Sequence, residues 1–180
     1  MFGCDIGQDT WLRPLELRHA EEVFRLADRN RARLRQWLPW VDSTLTVDDT
    51  WEFIRHSLEQ LAKGESLAAG IWHEGSFAGV VSFVGINPAA RSAMIGYWLG
   101  PEYEGKGIMT RACEALIDYG FGELGLNRIV IRAATENQRS QAIPQRLGFT
   151  REGVERQSEW LNDHFLDMVV YSMLRSEWLA

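Results

Sequence analysis

The chain has 180 residues, with 19 lysines and arginines against 25 aspartates and glutamates and a formal charge of −6. That balance argues against generic nucleic-acid binding, which depends on a basic face, and suits a cationic partner better. Two cysteines, Cys4 and Cys113, fit a reducing compartment without a disulfide framework. No apolar run approaches the ~18 residues of a membrane span, and MFGCDIGQDTW lacks the basic and apolar regions of a signal peptide, so a cytoplasmic address is expected. The length suits one domain, residues 1–180, that buries roughly 70% of its unfolded surface.

In chain order, TWLRPLEL (10–17) reads as a first strand and HAEEVFRLADRN (19–30) as a helix with Val23, Phe24, Leu26 and Ala27 inward. RARLRQWLPWVD continues helical spacing until Pro39 stops it. Thr46 is an N-cap for a long helix whose stripe is Trp51, Phe53, Ile54, Leu58 and Leu61, ending near Gly64. SLAAGIWHEG and SFAGVVSFVGI, parted by Glu74-Gly75-Ser76, then SAMIGYWLG after Asn87-Pro88, predict three successive antiparallel strands.

PEYEGKGIMT (101–110) follows, leading into a helix with Ile108, Ala112, Cys113, Leu116 and Tyr119 on its buried side. RIVIRAAT is a buried strand, and a shorter helix runs to Leu147-Gly148-Phe149, with Gly148 as its C-terminal cap. Two strands, roughly 149–161 and 165–175, turn at Asn162-Asp163-His164. The order β, αα, βββ, α, β, α, ββ is an α+β sheet with a strand, loop, helix, strand unit at its centre.

A glycine-rich loop between strand and helix offers bare N–H groups and a positive helix end to an anion. The spacing here excludes two common nucleotide loops. No G-x-x-x-x-G-K-[ST] is present, and a G-x-G-x-x-G beginning at Gly105 meets Thr110 at its third glycine. A phosphate loop of another kind, or an ordinary turn, remains. His19, His56, His73 and His164 show no metal-ligand spacing. No metal is therefore expected, and surface or turn positions are the simpler reading of all four.

YWLGPEYEGKGIMTRA (97–112), Asn137-Gln138-Arg139-Ser140 and Arg146-Leu147-Gly148-Phe149 together resemble the GCN5-related N-acetyltransferase (GNAT) superfamily over nearly the whole chain. NRARLRQWLPW (30–40) and SEWLNDHFLD (158–167) resemble its RimL-type branch, which acetylates terminal amines of ribosomal and other proteins.

The resemblance implies a GNAT-like, mostly antiparallel central sheet with helices on both faces and a splayed central strand pair. Acetyl-CoA is the implied co-substrate. Its pyrophosphate would be wrapped by backbone N–H groups from Gly105, Lys106, Gly107, Ile108, Met109 and Thr110. The pantetheine arm would lie between the splayed strands, with Asn137 bonding it, Arg139 reaching the phosphates, and the backbone at Trp98 or Leu99 holding the oxyanion.

The loop departs from the family's [Q/R]-x-x-G-x-[G/A] at Glu104 and Met109. Glu104 is expected to point outward, with Lys106 or Arg111 offsetting its charge. Pro144 stands where many members carry the tyrosine that protonates the leaving thiolate. That acid is therefore missing, and Ser140, one turn earlier, is expected by resemblance to RimL-type proteins to stabilise the thiolate by donating a hydrogen bond to the sulfur, against the alternative that it only caps its helix. Glu159 matches the branch's carboxylate facing the acceptor, against the alternative of a solvated strand residue.

A glutamate is a weak base. Deprotonating a lysine amine near neutral pH costs about three pKa units, roughly 4 kcal/mol, whereas an α-amine costs under one. The expected acceptor is therefore a protein N-terminal α-amine, such as that of a ribosomal protein. A polyamine or aminoglycoside-like amine, or a non-catalytic acyl-CoA-binding role, are the alternatives. Packing is expected of Trp37, while Trp40 either packs or lines the acceptor cleft near Arg33 and Arg35. Many RimL-type proteins are homodimers, which the resemblance extends to this chain.

Overall fold

A computed structural model describes residues 3–178. It opens with β1 (Cys4–Asp5) paired to β2 (Thr10–Pro14). β1 was not foreseen, because two residues carry no periodicity. The expected first strand is shorter than 10–17: Pro14, which lacks an N–H, is its last residue, and Leu17–His19 wind into a 3-10 turn.

The first helical layer holds α1 (Ala20–Arg29), α2 (Arg31–Leu34), a 3-10 turn at Pro39–Asp42, and α3 (Val47–Ala62). Thr46 caps α3 as predicted. Its hydroxyl accepts from the Asp49 N–H at 3.3 Å, and the Asp49 carboxylate accepts from the Thr46 N–H at 2.8 Å. The predicted stripe is only partly internal. Ile54 is buried among residues of α1, β3 and β4, but Trp51, Phe53 and Leu61 are exposed.

The remaining elements are β3 (Leu67–His73), β4 (Ser76–Asn87), β5 (Ser92–Leu99), α4 (Ile108–Gly122), β6 (Arg128–Ala134), α5 (Gln138–Arg146), β7 (Thr150–Leu161), β8 (His164–Leu174) and α6 (Arg175–Trp178). Among the described residues eight strands form one sheet ordered β1-β2-β3-β4-β5-β6-β8-β7. Every pairing is antiparallel except β5 with β6. The strand, loop, helix, strand unit thus supplies the single parallel crossover.

Helices cover both faces. On one, α4 buries Ile108, Met109, Ala112, Cys113, Leu116, Ile117 and Phe121 against the sheet, each large side chain contributing about 1.5–3 kcal/mol. On the other, Val23, Leu26 and Ile54 of α1 and α3 pack on Trp72, Phe77 and Val80. His73 departs from the surface position expected of it. It is buried on β3, where its Nδ1 lies 2.9 Å from the Thr10 hydroxyl. Among the described residues no helix is long and apolar enough to cross a membrane.

Candidate active site

The parallel register of β5 on β6 runs from Ser92↔Arg128 to Ile95↔Ile131 and stops. Both strands continue, β5 to Leu99 and β6 to Ala134, so beyond Ile95 they part. β5 stays bound to β4 through Gly79↔Leu99, and β6 stays bound to β8 through Ala134↔Met168. Each arm of the fork is thereby held from outside.

Gly79 permits the close approach of β4 and β5. A Cβ there would sit 2.2 Å from the Trp98 carbonyl oxygen. The Gly100 N–H donates to the Ala78 carbonyl on β4 at 2.8 Å. Alternation along an extended strand then turns the Leu99 N–H, and not that of Trp98, toward the open side of the fork.

The fork opens into a cleft of about 1410 Å³ whose walls include Tyr97, Leu99, Gly105, Asn137, Ser140 and Glu159. These predicted residues, distant in sequence, share one space. Trp98 and Trp40 meet there with ring centroids 5.6 Å apart. Trp40 therefore does both things left open for it, packing beside Leu34 and Val41 while lining the cleft. Trp37 packs against Ala134, Leu161 and Leu166.

At the mouth of the cleft, Gly105 and Gly107 have φ of +76° and +69°, a left-handed conformation that disfavours side chains. Gly107 is the N-cap of α4 and no side chain caps that helix. Hydrogen bonds to protein acceptors begin only with the Arg111 N–H, bonded to the Gly107 carbonyl at 3.1 Å. The six amides from Gly105 to Thr110 thus have no acceptor among the described residues. Consecutive free donors at a positive helix end fit a diphosphate. Ile108 and Met109 offer only their backbone, since both side chains are in the core.

The cations near this loop are arranged differently from expectation. Neither Lys106 nor Arg111 pairs with Glu104. The Arg111 guanidinium instead donates to the Ile6 and Lys106 carbonyls, both at 3.1 Å, and braces the loop. The Lys106 ammonium stands 5.8 Å from the Tyr103 ring centroid. Glu104 accepts from Arg33 of α2 at 2.6 Å and from Arg139 of α5 at 2.5 Å. Its side chain therefore does not simply point outward, and neither arginine is free in this state to grip a phosphate or an acceptor.

Asn137 caps α5, its Oδ1 accepting from the Ser140 N–H at 3.1 Å. The other end closes as predicted at Gly148, whose φ is +74°. The Phe149 N–H reaches the Pro144 carbonyl at 2.9 Å and the Gly148 N–H that of Gln145 at 3.2 Å. Pro144 lies inside the helix. Lacking an N–H, it leaves the carbonyl four residues back, that of Ser140, without its helical donor. The Tyr97 hydroxyl supplies one, donating to that carbonyl at 3.0 Å, and it also lies 3.1 Å from the Ser140 hydroxyl. Burial pushes the Tyr97 phenol up from its ordinary pKa, so it keeps its proton at neutral pH.

Glu159 is aimed by a bulge. Between Glu155↔Met168 and Glu159↔Leu166, β7 has three intervening residues against one on β8, with Gln157 at φ +50° and its N–H on the Asp167 carboxylate at 2.7 Å. Arg132, on β6, reaches across β8 to Glu155 at 2.6 Å and the Ser158 hydroxyl at 3.1 Å, and approaches Glu159 at 3.8 Å. Sequence reasoning put Tyr97 on the splayed strand but gave its side chain no role, and it missed Arg132 as a cleft residue. A charged residue amid RIVIRAAT was the available signal for Arg132, whereas Tyr97 resembles core.

A fork between sheet strands with six free amides at its mouth, a serine hydroxyl along one wall and a carboxylate along the other, fits an acyltransferase that draws on a phosphate-bearing co-substrate. Comparison with known proteins specifies the family. A family profile described as an acetyltransferase (GNAT) domain matches residues 9–150, and the chain belongs to that family.

It is 39% identical over 179 residues to YdaF of Bacillus subtilis (strain 168), covering 99% of this chain and 98% of that protein. It is 31% identical over 156 residues to the ribosomal-protein-serine acetyltransferase of Escherichia coli (strain K12), covering 87% of each. A solved structure of RimL, an L7/L12 α-N-protein acetyltransferase in complex with coenzyme A, superposes with a TM-score of 0.90 at 30% identity, covering 94% of this chain and 96% of that one. The microcin C7 self-immunity acetyltransferase MccE, in complex with acetyl-CoA and AMP, gives a TM-score of 0.90 at 34% identity, covering 94% of both. The chain is a RimL-type member of the family.

Proposed function

We propose that this acetyltransferase moves an acetyl group from acetyl-CoA to the α-amine of a protein N-terminus. The observation that carries the reading is the run of six free amides at the mouth of a fork that also contains Ser140 and Glu159. The amides hold the pyrophosphate and the fork takes the pantetheine arm, with the unbonded face of Asn137 toward it. The thioester carbonyl then lies near the Leu99 N–H.

The neutral amine attacks that carbon directly. Its proton passes to Glu159, the C–S bond breaks with its electron pair going to sulfur, and the Ser140 hydroxyl hydrogen-bonds the thiolate. Holding both reactants in one cleft makes the attack effectively unimolecular. A terminal α-amine suits a glutamate base, because little free energy is needed to deprotonate it. The likeness to ribosomal-protein acetyltransferases supports this acceptor class.

A second acceptor class has its own observation. Asp49, Glu52 and Glu159 all line the cleft, a carboxylate set that suits a polyamine. The deciding experiment is an acceptor panel with acetyl-CoA, following release of the coenzyme thiol. Peptides bearing a free N-terminal serine or alanine should turn over and their N-blocked forms should not. Turnover of spermidine alone would replace the first reading with the second.

Residues 1–180 act in this reading as one cytoplasmic domain. Homodimer formation is supported by Trp160 and Phe165, both 55% exposed at the β7–β8 end with ring centroids 4.7 Å apart. Sedimentation of the wild type against Trp160→Ser tests it: the variant should shift to monomer.

A further inference from the structure

The mechanism above asks Ser140 to donate to a thiolate, yet its hydroxyl already has a partner. Tyr97 and Ser140 face each other across the fork, from β5 and α5, and the Tyr97 oxygen is bonded to two atoms of the same residue. It lies 3.0 Å from the Ser140 carbonyl oxygen and 3.1 Å from the Ser140 hydroxyl oxygen. A phenol has one proton for these two acceptors. While that proton is on the carbonyl, the serine hydroxyl donates to the phenol. If the serine proton turns to another acceptor, two oxygen lone pairs would face each other at 3.1 Å unless the phenol proton turned as well.

Pro144 makes this arrangement available. In an unbroken helix the Ser140 carbonyl would be occupied by the amide four residues on, and proline supplies none. The residue at the position where the family commonly has a tyrosine thereby gives Tyr97 its place.

We propose that Tyr97 is the positioning residue that frees Ser140 to stabilise the departing thiolate, its O–H swinging from the Ser140 carbonyl to the Ser140 hydroxyl as the latter turns to sulfur. The inference rests on the role given to Ser140 above. Only O–H rotations are required, since both acceptors are already within hydrogen-bond distance of one phenol oxygen. The electron pair of the broken C–S bond stays on sulfur and the amine's proton goes to Glu159. Tyr97 loses no proton, in keeping with a buried phenol that resists ionisation. Solvent protonates the thiolate after release.

The test compares wild type, Tyr97→Phe, Ser140→Ala and the double variant in kcat, KM for acetyl-CoA, coenzyme affinity and melting temperature. Tyr97→Phe should lower kcat about tenfold, the loss for one neutral hydrogen bond, while KM and coenzyme affinity stay within about twofold. The double variant should be no slower than Ser140→Ala, because Tyr97 acts only through the serine. Losses that multiply in the double variant would show a merely structural tyrosine and overturn the proposal. A slow Ser140→Ala beside a fully active Tyr97→Phe would overturn it and leave the role of Ser140 standing. A silent Ser140→Ala would remove both. Should Tyr97→Phe fail to fold, 3-fluorotyrosine placed at position 97 keeps the hydroxyl and strengthens it as a donor. Turnover at or above wild type supports the proposal, and a fall of tenfold or more overturns it.

Discussion

Arg33 on α2 and Glu104 in the glycine-rich loop before α4 are bonded at 2.6 Å across 71 residues of sequence, and Arg139 of α5 closes on the same carboxylate. One carboxylate therefore ties the helical insert, the loop and the far wall of the fork together. The side chains are between 33% and 73% exposed, so the pairs contribute at most about 1 kcal/mol each to stability. Their larger effect is on ligand charge. Glu104→Gln should free two guanidinium groups beside the pyrophosphate and remove a repelling carboxylate. Coenzyme A should bind tighter by about three- to tenfold, with a gain that shrinks in high salt. Titration calorimetry at two ionic strengths measures both, and weaker binding would show that the clamp shapes the site.

Gly107 is left-handed and begins α4 without a side-chain cap. Alanine there costs about 1–2 kcal/mol of backbone strain and turns amides away from the ligand. Gly107→Ala should lower the melting temperature modestly and weaken coenzyme binding by at least about tenfold, a larger effect than the strain alone yields if the loop wraps the pyrophosphate. Equal binding by variant and wild type would remove the loop from the coenzyme site.

Glu159 is held on a bulged strand facing the cleft. Glu159→Gln keeps shape and removes the base, so kcat should fall about 100-fold with coenzyme affinity unchanged. Both enzymes need the neutral amine, so both should slow together as pH falls through the amine's pKa, with the ratio between them unchanged there. A silent variant would favour the non-catalytic coenzyme-binding alternative.

Glu152 accepts two bonds from Arg128, both at 2.6 Å, and a third from the Ser172 hydroxyl at 2.8 Å. Arg128 first, then Ser172, hold its pKa down at about 2. A depressed folded-state pKa means stability that is present above the unfolded value, near 4.3, and is lost as pH falls through the folded one. After discounting for solvent exposure this is on the order of 1 kcal/mol. Urea denaturation from pH 5 down to pH 3, still above the folded pKa, should show wild type losing about half of that increment and Glu152→Gln showing none of it.

Much of the fold was legible because it depends on local chemistry. Alternation placed β3, β4 and β5. Glu74-Gly75, both at positive φ, turns the β3–β4 hairpin, and Thr46 with Asp49 starts α3 as its side chains dictate. Gly105, Gly107 and Gly148 could be assigned from type and spacing, since each occupies a backbone conformation that other residues resist. What the sequence determined by itself was therefore the order of elements from β2 to β8, the turn and cap residues, and the motif that carries the family resemblance.

Other features were decided only by the folded chain. Glu104 could be seen as anomalous, but its partners Arg33 and Arg139 lie 71 and 35 residues away, and no local pattern encodes such pairs. Trp51, Phe53 and Leu61 satisfy a helical period yet stay exposed, because period reports a face and not what covers it. The choice of Leu99 over Trp98 rests on which side of β5 is bonded to β4, a property of strand pairing. Tyr97 likewise became informative only when the sheet brought it to the carbonyl that Pro144 leaves bare. A hydrogen bond between distant residues is a fact of geometry, and geometry is settled where the elements pack.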